Sequence, residues 1–147
     1  TLREAGLWSP ELTGDRRDWF IRLLELIRPR VKKLDQFVEE MRPFLQQHVQ
    51  YDPAAVAKHL NNVEVKDALE SFVDTLVRVE PFTSSALESA LRTLAESRGV
   101  KAAPLIHATR VAVTGRTVSP GLFDVLELMG PDRVAARVRD AINFLPK

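Results

Sequence analysis

The stretch RVAVTGRTVSPGLF, residues 110–123, carries the signals for a helix end followed by a helix start. Its first five residues are rich in β-branched side chains, but they continue a run of apolar positions at helical spacing that begins at Lys101. Gly115 can take the left-handed backbone conformation with which helices commonly end. We therefore predict an α-helix over 101–114 that ends at Gly115.

The second half of the same stretch has the composition of a helix start. Ser119 has an N-cap side chain, and Pro120 suits the first helical turn because its missing N–H is not needed there. Gly121 has no side chain and leaves the backbone open to close approach. We predict that Ser119 caps a helix over 120–129.

Polar and basic side chains share one face of the first of these helices. At about 100° per residue, His107, Arg110 and Thr114 fall within about 60° of each other. No Asp or Glu occurs between Glu96 and Asp124, so no carboxylate of this segment would repel an anion. An arginine beside a helix N-terminus can hold an anion or bond a base edge. The alternative is a plain helix–turn–helix in which Arg110 caps a neighbouring helix.

The rest of the chain also has apolar residues at helical spacing. The remaining predicted helices cover 15–27, 31–41, 53–60, 63–79, 84–98 and 131–144. Pro29 and Pro43 should end or kink helices because proline lacks the N–H of an interior helical position. We predict an all-α fold class, a compact superhelical array of about eight short helices in two helical subdomains, 1–50 and 51–147.

Capping residues mark two of the helix boundaries. Asp52 is followed by proline and is a predicted N-cap. Ser84 or Ser85, followed by Glu88, is expected to form a capping box. Gly99 is expected to end the helix that this box begins.

Composition narrows the class of protein. The chain has 147 residues, of which 45% are hydrophobic, a net charge of +1 and no cysteine. No apolar run approaches the ~20 residues of a membrane-spanning helix, so we expect no membrane association. Arginine outnumbers lysine 15 to 6, and arginine favours planar recognition of phosphates and bases. The N-terminal segment TLREAGLWSP lacks an initiating Met, and we expect a piece of a longer protein.

Signatures of catalysis are missing from the sequence. The three histidines are scattered, and the glycines are isolated helix stops rather than a phosphate-binding loop. Asp67, Glu70 and Asp74 share one helix face, which we interpret as a solvated face rather than a metal site. We expect no catalytic residue, no cofactor and no metal in this chain.

The segment PLIHATRVAVTGRTVSPGLFDVLELMGPDRVAARVRDAI, residues 104–142, resembles the C-terminal end of bacterial-type glutamyl-tRNA synthetases, including those of organelles. Three earlier segments resemble the same family in the same order: LIRPRVKKLDQF, YDPAAVAKHL and EPFTSSALESALRTLAES. The resemblance extends over essentially the whole chain. It implies an α-helical anticodon-binding region of a glutamate–tRNA ligase, a class I aminoacyl-tRNA synthetase.

The family's catalytic domain, which uses ATP and Mg²⁺, has no counterpart in this sequence. The resemblance therefore implies that this piece does not activate glutamate by itself. The implied partners are the anticodon loop of glutamate tRNA and the N-terminal catalytic domain of the same parent chain. We expect a monomer in the bacterial cytoplasm, with an organelle as the alternative location.

The resemblance also implies which residues contact tRNA. Arg30 matches an arginine that reads the third anticodon base in ligases that discriminate glutamate from glutamine tRNA. Arg110 matches an arginine near the first two anticodon bases. The loop that packs against those bases corresponds to Ser119, Pro120, Gly121 and Leu122. Few aromatic residues are expected to stack on a base; Trp8 is the best exposed candidate, and we expect it to be an interdomain contact instead.

Two other functions are compatible with the residues alone. A helical protein-interaction scaffold without RNA specificity would use its basic zones to contact an acidic protein. A small enzyme of an unrecognised kind is the weakest hypothesis, because no nucleophile or phosphate loop is evident. The segment without carboxylates around Arg110 favours RNA binding over a scaffold, since a scaffold has no need of that combination.

Overall fold

The computed structural model describes residues 2–46 and 48–144, apart from the side chains at positions 34 and 35. Within those residues it has eight α-helices and two 3-10 helices, Pro10–Thr13 and Arg28–Arg30. The α-helices are α1 Arg17–Ile27, α2 Leu34–Leu45, α3 Pro53–His59, α4 Val63–Leu76, α5 Ser84–Ser97, α6 Ala102–Thr114, α7 Leu122–Met129 and α8 Pro131–Phe144. The predicted all-α fold class is confirmed. None of the described helices has both the length and the apolar character that crossing a membrane requires.

The chain forms two compact units, Thr1–His48 and Val49–Lys147. In the first unit the core consists of apolar side chains from the N-terminal segment, α1 and α2. They are Leu2, Leu7, Leu12, Leu23, Ile27, Met41 and Phe44. Pro29 has the predicted effect, because α1 ends two residues before it and a 3-10 helix follows.

The prediction that Pro43 interrupts the second helix is wrong. Pro43 lies inside α2, which continues past it. One helical hydrogen bond is lost because proline has no N–H, but the Gln46 N–H still donates to the Arg42 carbonyl at 3.0 Å. Met41 and Phe44, on either side of the proline, are almost fully buried. We attribute the continued helix to this packing, which contributes more than the missing bond costs.

In the second unit, α6 packs against α3, α4, α5, α7 and α8. Its residues Leu105, Val111 and Val113 are completely buried. A helix that is covered on most sides can be apolar all round, and burial here outweighs the weak helix propensity of β-branched residues. The predicted helix over 101–114 is therefore confirmed.

One predicted cap is confirmed and one is wrong. The Asp52 side chain caps α3 as predicted. The cap of α5 is Thr83, whose Oγ1 accepts from the Ala86 N–H at 3.3 Å. The predicted serines do not cap this helix, and the Ser84 N–H donates instead to Oε1 of Glu127 on α7 at 3.0 Å. The carboxylate that accepts from the Ser84 N–H thus belongs to another helix and not to a capping box within α5.

Candidate functional site

The loop between α6 and α7, residues 115–121, begins at a position that only glycine can occupy. Gly115 has φ +74° and ends α6, as predicted. A Cβ on this residue would lie 2.2 Å from the carbonyl oxygen of Gln50. The Gly115 carbonyl also accepts from the Asp52 N–H at 3.4 Å. The loop is therefore fixed against the backbone of residues 50–52 at the point where it leaves α6.

Thr114 is not part of an exposed polar stripe, contrary to the sequence prediction. It is 3% exposed, and its Oγ1 donates to the Arg110 carbonyl at 2.7 Å. The same oxygen accepts from the Arg116 N–H at 3.1 Å. Thr114 therefore fixes the last turn of α6 and the start of the loop, while the surface-accessible members of the stripe are His107 and Arg110.

Arg110 and Ser119 hold each other across the loop. Arg110 is half-buried, and its Nε donates to the Ser119 Oγ at 3.0 Å. That oxygen in turn donates to the Pro120 carbonyl at 2.7 Å. Because Nε is held inside the loop, the guanidinium is fixed at one end.

Ser119 does not cap α7, contrary to the sequence prediction. The helix begins at Leu122 and its N-cap position is Gly121, which has no side chain to accept a bond. The Ser119 hydroxyl is committed to Arg110 and Pro120, so it is not available to the helix N-terminus. The loop has consequently two more residues than the sequence predicts.

The loop residues differ in exposure. Pro120 is buried and Leu122 is 3% exposed, so both side chains support the loop from inside. Gly121 is exposed, with φ −47°. Val118, which the sequence prediction missed, is the exposed apolar side chain of this loop at 65%.

An acidic residue stands at the start of α7. A Cβ on Gly121 would lie 3.1 Å from Oδ2 of Asp124, which is in the first turn of α7. The partial positive charge of this N-terminus is therefore met by a carboxylate of its own helix. The segment without acids ends at the helix start, so a bound anion is better accommodated on the Arg110 side.

A buried arginine from α8 supports the end of α6. Arg137 is 1% exposed, and its Nη1 donates to the Val113 carbonyl at 2.8 Å. Burial, reinforced by the charge of Arg133, lowers the pKa of Arg137 to about 10, so it stays charged at neutral pH. Sequence reasoning missed this residue, although it lies on the same helix face as Val134 and Ala141.

Tyr51 joins the same two helices. Its hydroxyl lies 2.9 Å from the Ala112 carbonyl and 3.0 Å from the Arg137 carbonyl, and its one proton can be donated to either. Burial raises the pKa of Tyr51 above its usual value, so the hydroxyl remains a donor. Its ring packs against Phe144 with centroids 5.3 Å apart.

Replacing Tyr51 with Phe is expected to lower the free energy of unfolding by about 1 kcal/mol. The ring packing is kept, while the one hydroxyl proton that bonds the carbonyl of Ala112 or of Arg137 is lost. Urea denaturation followed by far-UV circular dichroism measures the change. An unchanged unfolding midpoint would show that the hydroxyl does not contribute to joining α6 and α8.

Arg30, the other arginine of the predicted site, lies in the unit Thr1–His48. It is the last residue of the 3-10 helix Arg28–Arg30. Its Nε lies 3.2 Å from Oε2 of Glu40 on α2, and the two side chains are 29% and 22% exposed. This ion pair holds the Arg30 guanidinium in one orientation at the surface of its unit.

Trp8 does not present an open ring face on which a base could stack. It is half-buried, and its ring packs edge-to-face on Phe20 with centroids 6.5 Å apart. The guanidinium carbon of Arg3 lies over the ring, 5.4 Å from its centroid. The ring is thus occupied by contacts within its own unit.

Two of the three histidines, which are scattered in the sequence, are neighbours in the structure. The rings of His59 on α3 and His107 on α6 have centroids 5.4 Å apart. Burial, together with the charges of His107, Lys58 and Arg110, lowers the pKa of His59 below its usual value. The pair therefore lies in a positive local field beside Arg110.

The acidic side chains of α4 are exposed, as predicted. Asp67, Glu70 and Asp74 all face solvent. In the part of the chain that the structure describes, no group of three or more His, Asp or Glu side chains could hold a metal ion.

Comparisons with known proteins identify the family of this chain and agree with its fold. A family described as an anticodon binding domain matches residues 3–142. Glutamate–tRNA ligase 1 of Syntrophomonas wolfei is 34% identical over 136 residues, which cover 92% of this chain and 28% of the relative. Glutamate–tRNA ligase of Roseiflexus castenholzii is 39% identical over 145 residues, which cover 98% of this chain and 29% of the relative. The chain thus spans less than a third of the length of these relatives and matches only their anticodon-binding part.

A solved structure supports the fold independently of sequence. A glutamate–tRNA ligase from Elizabethkingia meningosepticum, solved in complex with its amino acid, superposes with a TM-score of 0.82 at 16% identity. The match covers 99% of this chain and 27% of that chain. At this identity the likeness shows the fold alone.

Proposed function

The chain belongs to the anticodon binding domain family, and on that premise we propose that it binds the anticodon loop of glutamate tRNA as part of a glutamate–tRNA ligase. The observation that carries the proposal is the Arg110–Ser119 contact at 3.0 Å, in a segment without carboxylates. An arginine whose guanidinium is oriented by a hydrogen bond presents its charge and its planar group in a defined direction. The alternative of a scaffold without RNA specificity is not favoured.

The α6–α7 loop offers the groups with which proteins read single-stranded RNA. Splayed bases are recognised by hydrogen bonds to their edges and by contact with apolar or aromatic side chains. Arg110 would supply the hydrogen bonds, and the exposed Val118 would supply the apolar contact. Gly121 is exposed and lets a base approach the backbone. Ser119, Pro120 and Leu122 act in this proposal by holding the loop in shape.

We assign Arg30 to the third anticodon base, as in ligases that discriminate glutamate from glutamine tRNA. Glu40 holds Nε, so the two terminal nitrogens are the groups with which Arg30 would contact a base. In this role Glu40 positions the arginine and does not itself contact RNA.

Replacing Arg30 with Gln in the parent ligase is expected to weaken discrimination at the third anticodon base by about 1 kcal/mol, on the scale of base readout in DNA. Glutamine keeps one amide donor but loses the charge and the fork of two parallel donors. The measurement is the ratio of kcat/KM for glutamate tRNA and for a transcript changed at the third anticodon base. An unchanged ratio would remove Arg30 from the recognition site.

The salt dependence of binding tests the proposal. A labelled anticodon stem-loop of glutamate tRNA is titrated with the 147-residue chain, and log K is plotted against log salt concentration. We expect a linear decrease with a slope of about −0.7 per neutralised phosphate, because each contact releases condensed counterions. A folded chain that does not bind at low salt would refute RNA binding by this domain.

The chemistry of the parent ligase lies outside this domain in our proposal. The activation of glutamate, with ATP and Mg²⁺, is assigned to a catalytic domain elsewhere in the parent chain. We further propose that the parent acts as a monomer in the bacterial cytoplasm. Sedimentation of the parent ligase with and without tRNA would test the oligomeric state, since a monomer sediments with the mass of one chain and its complex with the mass of one chain and one tRNA.

A further inference from the structure

Two imidazoles from different helices meet next to the proposed RNA-binding loop. His59 is the last residue of α3, and His107 lies one turn before Arg110 on α6. Their ring centroids are 5.4 Å apart, with 39° between the ring planes. His107 is exposed and His59 is half-buried, so the pair is accessible from solvent on its α6 side. The surface around Arg110 is thereby extended onto α3.

The groups around the pair are basic. Within the described part of the chain, the charges that shift the pKa of His59 come from Lys58 on α3 and from His107 and Arg110 on α6. None of them comes from α4, α5, α7 or α8, the other helices packed on α6. Two titratable rings and two permanent cations thus occupy one small area, and no carboxylate of the described residues is among the charges that shift the pKa of His59.

We propose that His59 and His107, with Lys58 and Arg110 beside them, bind a backbone phosphate of the anticodon stem-loop and take up a proton from solvent on binding. This inference rests on the proposed function, because it names a further contact of the same RNA. A phosphate stabilises a protonated imidazole, and by linkage the protonated imidazole binds the phosphate more tightly. The binding of RNA should therefore depend on pH in the range where histidine titrates.

The environment of His59 favours a proton taken up on binding over a permanent charge. Burial and neighbouring cations hold its pKa below the usual value, so His59 is neutral in the unbound chain at neutral pH. An incoming phosphate offsets the repulsion by the neighbouring cations and raises that pKa again. A base stacked on neutral rings would bind without taking up a proton, so pH dependence separates a phosphate contact from a stacking contact.

The test is a fluorescence-anisotropy titration of the chain with the labelled stem-loop at constant ionic strength, between about pH 5.5 and 8. If the phosphate raises the pKa of one imidazole by about one unit, affinity should be about tenfold higher at the acid end. His59→Asn and His107→Asn should each remove most of this dependence and lower affinity mainly at the acid end. His107→Lys, which carries a permanent charge, should bind tightly throughout the range.

The remaining histidine provides a matched control. His48 is exposed in the other unit, and His48→Asn should keep the full pH dependence. Far-UV circular dichroism at each pH shows whether the variants are folded, and the exposed position of His107 makes its two variants the safer pair. Anticodon-specific binding that is independent of pH, or a pH dependence that survives both His59→Asn and His107→Asn, would overturn this inference and leave the proposed function intact. A folded chain that binds no stem-loop at any pH would overturn both.

Discussion

Replacing Gly115 with Ala is expected to lower the free energy of unfolding of the unit Val49–Lys147 by about 3–5 kcal/mol, close to the largest effects of single substitutions. Two costs add together. An L-residue at φ +74° is strained by about 1–2 kcal/mol. The added Cβ would also lie 2.2 Å from the carbonyl oxygen of Gln50 and 3.1 Å from its carbonyl carbon. Both are backbone atoms, so the loop must move away from residues 50–52.

Alanine variants at two other glycines separate the cost of backbone strain from the cost of the steric clash. Gly99 has φ +68° and no atom within 4 Å of an added Cβ, so Gly99→Ala should show the strain alone, about 1 kcal/mol. Gly121 has φ −47° and meets only the Asp124 side chain, so Gly121→Ala should remain as stable as the wild type within about 0.5 kcal/mol. Urea denaturation of the three variants gives the values. If Gly115→Ala unfolds at the same urea concentration as Gly99→Ala, the loop is not fixed by its contact with Gln50.

Replacing Arg110 with Ala is expected to weaken binding of the glutamate anticodon stem-loop by about 2–3 kcal/mol, or ~30- to 150-fold. The variant removes a charged donor whose position is set by Ser119. Stability should change little, because Arg110 is only half-buried and the Ser119 hydroxyl keeps its bond to the Pro120 carbonyl. Anisotropy titration and thermal unfolding are measured on the same samples.

Arg110→Lys and Arg92→Ala are the matched variants for this experiment. Lysine keeps the charge but not the planar fork, so Arg110→Lys should fall between the wild type and Arg110→Ala. Arg92 lies on α5 in an exposed ion pair with Glu88, and its removal should leave binding unchanged. The opposite pattern, a large loss of stability in Arg110→Ala with unchanged binding, would mean that Arg110 is a structural cap of the loop.

The helical spacing of apolar residues predicted the helices because the apolar face of each helix is the face that the fold buries. The segment RVAVT was predicted as helix from spacing alone, and its last four residues are buried on α6. Gly115 was predicted as a helix end from its conformational freedom and has the expected positive φ. These two predictions succeed because each depends only on neighbouring residues in the chain and on whether a side chain is apolar, and not on a specific tertiary partner.

The errors arise where a side chain or a backbone group has a tertiary partner. Serine is a common N-cap residue, but the Ser119 hydroxyl accepts a hydrogen bond from Arg110 on the preceding helix. Ser84 fits a capping box, but its N–H bonds Glu127 on another helix. Pro43 stays within α2, whose neighbouring apolar side chains are buried. No local pattern contains these partners, so no local rule could have predicted them.

Part of the candidate site was also out of reach of the sequence. Arg110 and the loop were found because the chain has no carboxylate around them, which is a feature of sequence. The pair of His59 and His107 depends on the packing of α3 against α6, and no spacing in the sequence brings them together. Arg137 was detectable in principle, since an arginine on the apolar face of a predicted helix must bond a partner if it is buried.

The central claim is that this domain reads the glutamate anticodon through the loop that holds Arg110. The most direct test titrates the wild-type chain and Arg110→Ala with two labelled stem-loops, one with the glutamate anticodon and one with the same bases in scrambled order. The account predicts at least about tenfold tighter binding of the native anticodon by the wild type, and a much smaller difference between the two stem-loops in Arg110→Ala, where only the contact of Arg30 with the third base remains. Equal binding of both stem-loops by the folded wild-type chain would contradict the claim and leave only a basic surface.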